Sequence, residues 1–296
     1  MENTLTQPAV APAAAAAPAH DAVCLNCGTA LHGHFCAHCG QNAHTHRFTL
    51  RHLLLHDLPH SVWHVDKGLL YTLRHMIIRP GATIAEYLAG RRAAHFQPLT
   101  YLLLLAGLSA LLLSAVHLNP YAATPDVPRL MVLTMERYMS SLFKYPSAVY
   151  VLLLPLNALL ARWLLRPTRY NYAEMLISQA FISGTITALS LAVMFPLFLL
   201  LGHTPYFQGA SMSTILISVI YPAWVYRQLL APARMPVEDK WVRAISTAVL
   251  QLLGLFIILL IYIFSIMISL VRQDRALLTD FLAKTQAAKS QPAPRR

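Results

Sequence analysis

Five long apolar stretches, nearly free of charge, fill the last two thirds of this chain and dictate most of what it can become: 98–118, 145–165, 174–201, 209–230 and 244–271. A helix of about 20 apolar residues crosses a bilayer core roughly 30 Å thick. Lipid cannot satisfy backbone N–H and C=O groups, so such segments settle as helices that pair those groups internally. One stretch would suit the interior of a soluble protein, but five together do not. The stretch 244–271 would run roughly 42 Å as a helix, so it must tilt or protrude. Pro155, Pro196 and Pro222 lie inside three of the stretches, where neighbouring helices must accommodate each kink. Asn157, Arg162, Glu174, Gln179 and Gln251 are the few strongly polar groups in or near them. Arg162 and Glu174 sit near ends and are expected to snorkel to the interface, while the amides are expected to face other helices. No charged stripe of the kind an ion or proton pathway needs runs through these segments.

Composition agrees. Hydrophobic residues make up 56% of the 296 and charged ones 12%, about half the charge of an ordinary soluble chain. That excludes a cytosolic globular enzyme, a disordered chain and a disulfide scaffold. The net charge of +11 suits either nucleic acid or a membrane surface, and its placement chooses. Lys and Arg gather before the first stretch, from Arg47 to Arg92, and in the second and fourth connections, with nine more on the opposite side, six of them after Val271. The larger share marks the cytoplasmic side, so the N-terminus is expected in the cytoplasm of a multi-pass inner-membrane protein. The basic tail runs against this locally, since five crossings put it outside.

Residues 1–22 are mostly Ala and Pro, with neither the basic start nor the apolar run of a signal peptide, and read as a disordered lead-in. Residues 23–42 form a small module, 43–97 a His- and Arg-rich helical region at the cytoplasmic interface, 98–271 the transmembrane bundle and 272–296 a basic polar tail.

All four cysteines fall in Cys24-x2-Cys27 and Cys36-x2-Cys39, each pair followed by a glycine, Gly28 or Gly40. Two intervening residues let both sulfurs converge on one ion. The glycine permits a tight turn and leaves backbone N–H groups to face thiolate. Two such knuckles supply a tetrahedral zinc site. The gap of eight residues is shorter than the usual ribbon spacing and predicts a two-turn ribbon with little sheet. Disulfides suit the cytoplasm poorly, and a redox CxxC would need a βαβ setting that is absent. Four thiolates close the shell, so the zinc is structural, one per chain. His32, His34 and His38 are competing ligands by residue type only. With no Lys or Arg before Arg47, the module lacks the cations that phosphate binding requires, which excludes a nucleic-acid partner.

His52, His56, His60 and His64 recur every four residues, with Asp57 among them. Asp57, His60 and His64 fall within about a 60° arc of a helix and form a candidate second metal site of two imidazoles and a carboxylate. Leu53, Leu54, Leu58, Val62 and Trp63 give the same segment an apolar side, so an interfacial helix with a polar His and Asp face stays open as the alternative. Further on, Pro80-Gly81 reads as a turn, Thr83 and Glu86 as a capping box, and Gly90 as the stop of a short in-plane helix. Arg79, Arg91 and Arg92 are candidates for contact with an anionic head group.

The segments CLNCG, FCAHCGQN, HRFTLRHLLLHD, HVDKGLLYTLRHMIIRPG and EYLAGRRAAHFQPLTYL together resemble an uncharacterised bacterial family, domain of unknown function 3667, from Cys24 to about Leu103. The resemblance implies an N-terminal zinc ribbon, a polar region before the membrane and several inner-membrane helices. It implies no activity, substrate or catalytic residue. The reading is an all-α integral membrane helical bundle of about five transmembrane helices carrying a small four-cysteine zinc ribbon. No catalytic constellation stands out, so the expected role is a non-enzymatic scaffold or accessory subunit, held in the lipid bilayer and docking a protein partner through the ribbon. A membrane-interface metalloenzyme acting on lipid through Asp57, His60 and His64, and a small transporter or transporter subunit, stay open.

Overall fold

The computed structural model describes residues 23–52, 68–115, 127–144, 146–201 and 212–290. Among them regular structure is helical, apart from two isolated bridges in the cysteine module. After a single helical turn at Leu50–His52 come α1 (Gly68–Ile78), α2 (Pro80–Leu88), α3 (Pro98–Ala115), α4 (Arg129–Lys144), α5 (Pro146–Leu164), α6 (Tyr172–Leu201), α7 (Ser213–Leu229), α8 (Val237–Gln273) and α9 (Ala276–Ser290).

Each of the five apolar stretches forms a helix, α3, α5, α6, α7 and α8 in order. Two of them, α6 with 30 residues and α8 with 37, are long and apolar enough to cross a membrane. At 1.5 Å per residue they run about 45 and 55 Å. The apolar parts of α3 and α5 are shorter, Pro98–Leu112 and Leu153–Leu164, and α7 has 17 residues. Length and apolarity together therefore single out α6 and α8 among the described residues, where composition alone pointed to five spans.

The core forms where α3 and α5 pack on α6 and where α7 packs on α8 and α6. Tyr101, Phe181 and Tyr226 are fully buried in it. A Cβ at Gly184 would lie 2.6 Å from the Tyr101 ring, so the missing side chain is what lets α3 lie against α6.

The bundle has two distinct ends. At one, a 3-10 turn at Arg166–Thr168 returns α5 into α6, and α7 passes into α8. There Arg243 Nη1 donates to Leu164 O at 3.0 Å and Lys240 Nζ to Ala231 O at 2.8 Å, placing cations where C-terminal helix carbonyls favour them. At the other end α4 and α9 pack on the last turns of α8 through Leu130, Ile266, Leu270 and Leu277. Both α4 and α9 are amphipathic or polar, so apolar length does not announce them. The tail expected after Val271 thus carries an ordered helix.

The approach to α3 departs from the sequence expectation. Pro80-Gly81 is not a turn: Pro80 opens α2, with Arg79 as the residue before it and no side-chain cap. The Thr83–Glu86 capping box does not form. Thr83 sits inside the helix, its hydroxyl on Arg79 O at 3.0 Å, and Glu86 pairs with Arg79 at 2.9 Å. Proline at the first helical position needs no N–H partner, which moves the helix start three residues ahead of the expected cap. Gly90 does end the region, at φ +104° and with its N–H on Tyr87 O at 3.1 Å.

Candidate metal centre and the seam beneath it

The two CxxCG segments build two turns with the same hydrogen bond and the same glycine conformation. Gly28 and Gly40 stand at φ 76° and 75°, the left-handed region that glycine enters without a Cβ penalty. Each glycine N–H donates to the carbonyl of the first cysteine of its pair, Gly28 to Cys24 at 2.8 Å and Gly40 to Cys36 at 2.9 Å. The glycine N–H groups themselves close the turns, while the backbone of Thr29, the residue after Gly28, contacts the Cys27 sulfur, as expected of a backbone N–H left to face thiolate. Bridges between Val23 and Ala30 and between Phe35 and Asn42 are all the sheet the module has, as the short spacing predicts.

The turns bring the sulfurs together. Cys24 Sγ lies 3.5 Å from Cys39 Sγ, and Cys27 Sγ 3.5 Å from Cys36 Sγ. All four ligand atoms fall within 4.8 Å of one another. A disulfide requires about 2.05 Å, and the cysteines are free thiols. Four thiolates about 2.3 Å from a tetrahedral ion stand roughly 3.8 Å apart, so the cluster has nearly the size a metal ion demands. Cys27 Sγ also lies 3.3 Å from Thr29 Oγ1. Thr29, through its hydroxyl first and its backbone second, holds the Cys27 thiol down to about 5, which favours the thiolate a metal binds. His32, His34 and His38 are exposed and stand outside the cluster.

The module is bonded to the bundle. The Gln41 side chain is buried and serves three backbone groups of one loop: its Nε2 donates to Gly90 O at 2.7 Å, and its Oε1 accepts from Arg92 N at 3.0 Å and Ala93 N at 3.2 Å. Just after the module, Arg47 forms a bidentate pair with Glu174 at 2.6 and 2.8 Å. Glu174 is 3% exposed. It also accepts from Asn171 N at 2.7 Å while its own N–H donates to Asn171 Oδ1 at 2.9 Å. This reciprocal pair is the capping box of α6. Glu174 is thus turned inward, not snorkelling, because a capped helix start and an arginine satisfy its charge. Contact with Glu174 raises the Arg47 pKa further.

Other expected residues fall as follows. Arg92 stacks over Phe48, 3.6 Å from the ring centroid, and donates to His46 O at 2.9 Å. Arg79 pairs with Glu86, and Arg91 is exposed. Asp57, His60 and His64 lie outside the described residues. His95 packs edge-on against Tyr71 and Tyr87, and burial, then His75, lowers its pKa. The sequence gives no role to Gln41 or Asn171, and marks Arg47 only as part of the basic flank. The N-x-x-E spacing of Asn171 and Glu174 was a visible cap signal, whereas nothing local marks Gln41.

Residues 66–109 match the model of the family described as Protein of unknown function (DUF3667). The match covers α1, α2, the loop under the module and most of α3. The four-cysteine cluster lies outside that match, docked on its surface, and is consistent with a zinc ribbon. No curated protein and no solved structure matches the chain.

Proposed function

We propose that this chain is a multi-pass inner-membrane protein, with five crossings and a cytoplasmic N-terminus, that acts as a non-enzymatic scaffold or accessory subunit. Its ribbon holds one structural zinc through Cys24, Cys27, Cys36 and Cys39. The observation that carries the reading is the junction between the thiol cluster and the helices. Gln41 and Arg47 fasten the module to the loop before α3 and to the start of α6. A metal bound there, when present, cross-links the two turns, so it orders one end of a bundle whose longest helices have membrane length. A closed four-thiolate shell leaves no position for substrate. Val23 and Phe35, 58% and 63% exposed, give the ribbon an apolar outer face, which supports a protein partner.

Two measurements on the full chain test this. Membranes washed with alkaline carbonate should retain the protein in the pellet, and detergent-purified protein should carry one zinc per chain. Cys24→Ala with Cys36→Ala should abolish the zinc and expose residues 23–47 to protease, while the chain stays in the pellet. Protein recovered in the supernatant, or purified without metal, would overturn the reading.

A further inference from the structure

Between α3, α5, α6, α7 and α8 lies a cavity of about 260 Å³. Its floor is a set of amides linked through Tyr226. Gln179 Nε2 donates to Tyr226 Oη at 2.9 Å, Tyr226 Oη donates to Gln251 Oε1 at 2.7 Å, and Gln251 Nε2 donates to the backbone carbonyl of Asn157 at 3.0 Å. Gln179 is 1% exposed and Tyr226 fully buried. Asn157 also lines the cavity; it is half-buried, and among the described residues its side-chain amide has no hydrogen-bond partner. Ser109, Ser183 and Ser190 line the walls with Leu154 and Ile186. These serines are partly exposed, so the cavity opens to the surroundings of the bundle.

Three features define what would fill it. No acidic, basic or histidine side chain lines it, so a phosphate or carboxylate head would be left uncompensated in a low-dielectric interior. An amide without a partner among apolar helices costs free energy that a hydrogen-bonding guest would recover. The volume is below the roughly 300–1,000 Å³ of pockets that enclose a whole drug-sized ligand. It suits a ring or a small polar head and leaves an attached chain outside, among the helices.

We propose that this cavity binds the neutral, oxygen-bearing head of an apolar-tailed membrane molecule, with the Asn157 amide and the serine hydroxyls as its hydrogen-bonding partners. The proposal rests on the membrane reading above. Two membrane sources share this chemistry, the carbonyls of a quinone and the hydroxyl of a prenyl alcohol.

The full chain in phosphatidylcholine nanodiscs would be titrated with decylubiquinone, with farnesol and with farnesyl diphosphate, following tryptophan fluorescence. One of the two neutral probes should saturate at one per chain, and which one does so identifies the source. Farnesyl diphosphate, with the same tail as farnesol and a charged head, should not compete. Ser183→Leu with Ser190→Leu fills the walls and should weaken binding by at least about tenfold, or roughly 1.4 kcal/mol. Asn157→Leu removes a side-chain amide that bonds nothing among the described residues, so it tests the site with little challenge to the fold. It should weaken binding likewise at unchanged zinc content. Saturation by neither neutral probe, equal binding by the Asn157→Leu variant, or competition by the diphosphate would each overturn the proposal. Carbonate extraction separates the failures: a chain in the pellet that binds no probe refutes the cavity alone, and a chain in the supernatant refutes both readings.

Discussion

A single buried amide joins the cysteine module to the loop before α3. Gln41 is 5% exposed and meets one carbonyl and two N–H groups of the loop Gly90 to Ala93. Replacing it with leucine keeps the volume and leaves three backbone groups unpaired beneath the module. A buried group stripped of its partner costs about 1–3 kcal/mol, and partial water entry keeps the total toward a few kcal/mol. Gln41→Leu should therefore lower the thermal midpoint of the detergent-solubilised protein and speed removal of metal by chelator. Replacing His38, exposed on the same module, should do neither. The convergence of the four cysteines was legible because two CxxC pairs fix it locally, in a spacing that sequence displays. Gln41 was not, because its partners lie about 50 residues away and only folding brings them near. The same holds for Arg47 and Glu174, read separately as a basic flank and a snorkelling acid, yet joined at 2.6 Å.

Each of the five apolar stretches coincides with a helix, although α8 begins at Val237, seven residues ahead of the apolar run, because burial of a continuous apolar run leaves few alternatives while its polar first turns carry no such signal. It missed α4 and α9, where the signal is one packed face on a charged helix. It also misplaced the start of α2, since the Thr83 and Glu86 spacing fits a cap equally well in the middle of a helix. The Pro80-Gly81 pair has another reason to exist. Gly81 N donates to Gln228 Oε1 at 2.8 Å, so a side chain of α7 serves a free N–H in the first turn of α2. A Cβ on Gly81 would collide with Gln228. Gly81→Ala should thus push α2 off α7 and destabilise the protein by about 1–3 kcal/mol, the usual cost of overpacking. Gly254→Ala, where a Cβ meets nothing within 4 Å, should leave the midpoint unchanged. A thermal unfolding comparison of the two variants in one detergent checks both outcomes, and equal midpoints would remove the close approach as the reason for the glycine.

At the scale of the whole molecule, the ribbon and α9 stand at opposite ends of α8. The ribbon reaches the loop before α3 and the start of α6, the end where Arg243 caps α5. The helix α9 packs on α4 beside Ile266 and Leu270. About 55 Å of helix lies between the first and last residues of α8, which exceeds the roughly 30 Å bilayer core. The charge distribution taken alone left the tail unresolved, because Arg272, Arg275 and Lys284 argue for the cytoplasm while the count of crossings argues against it. Packing supplies an answer. The connection carrying Arg129 and Arg137 shares its end with that tail, so both lie on one side whatever the orientation. Arg129 N lies 3.4 Å from Asp280 Oδ2, and Lys284 pairs with Asp280 at 3.9 Å, which moderates the positive charge of that end. On the proposed orientation, a fluorescent-protein fusion at the N-terminus should be bright and one at the C-terminus dark. Alkaline phosphatase fused at the C-terminus should be active, and at residue 127, within the same end, active as well. Agreement between residue 127 and the C-terminus tests the fold, and disagreement between the two termini tests the odd number of crossings. A bright C-terminal fusion alongside an active residue 127 fusion would contradict the packing of α9 on α4.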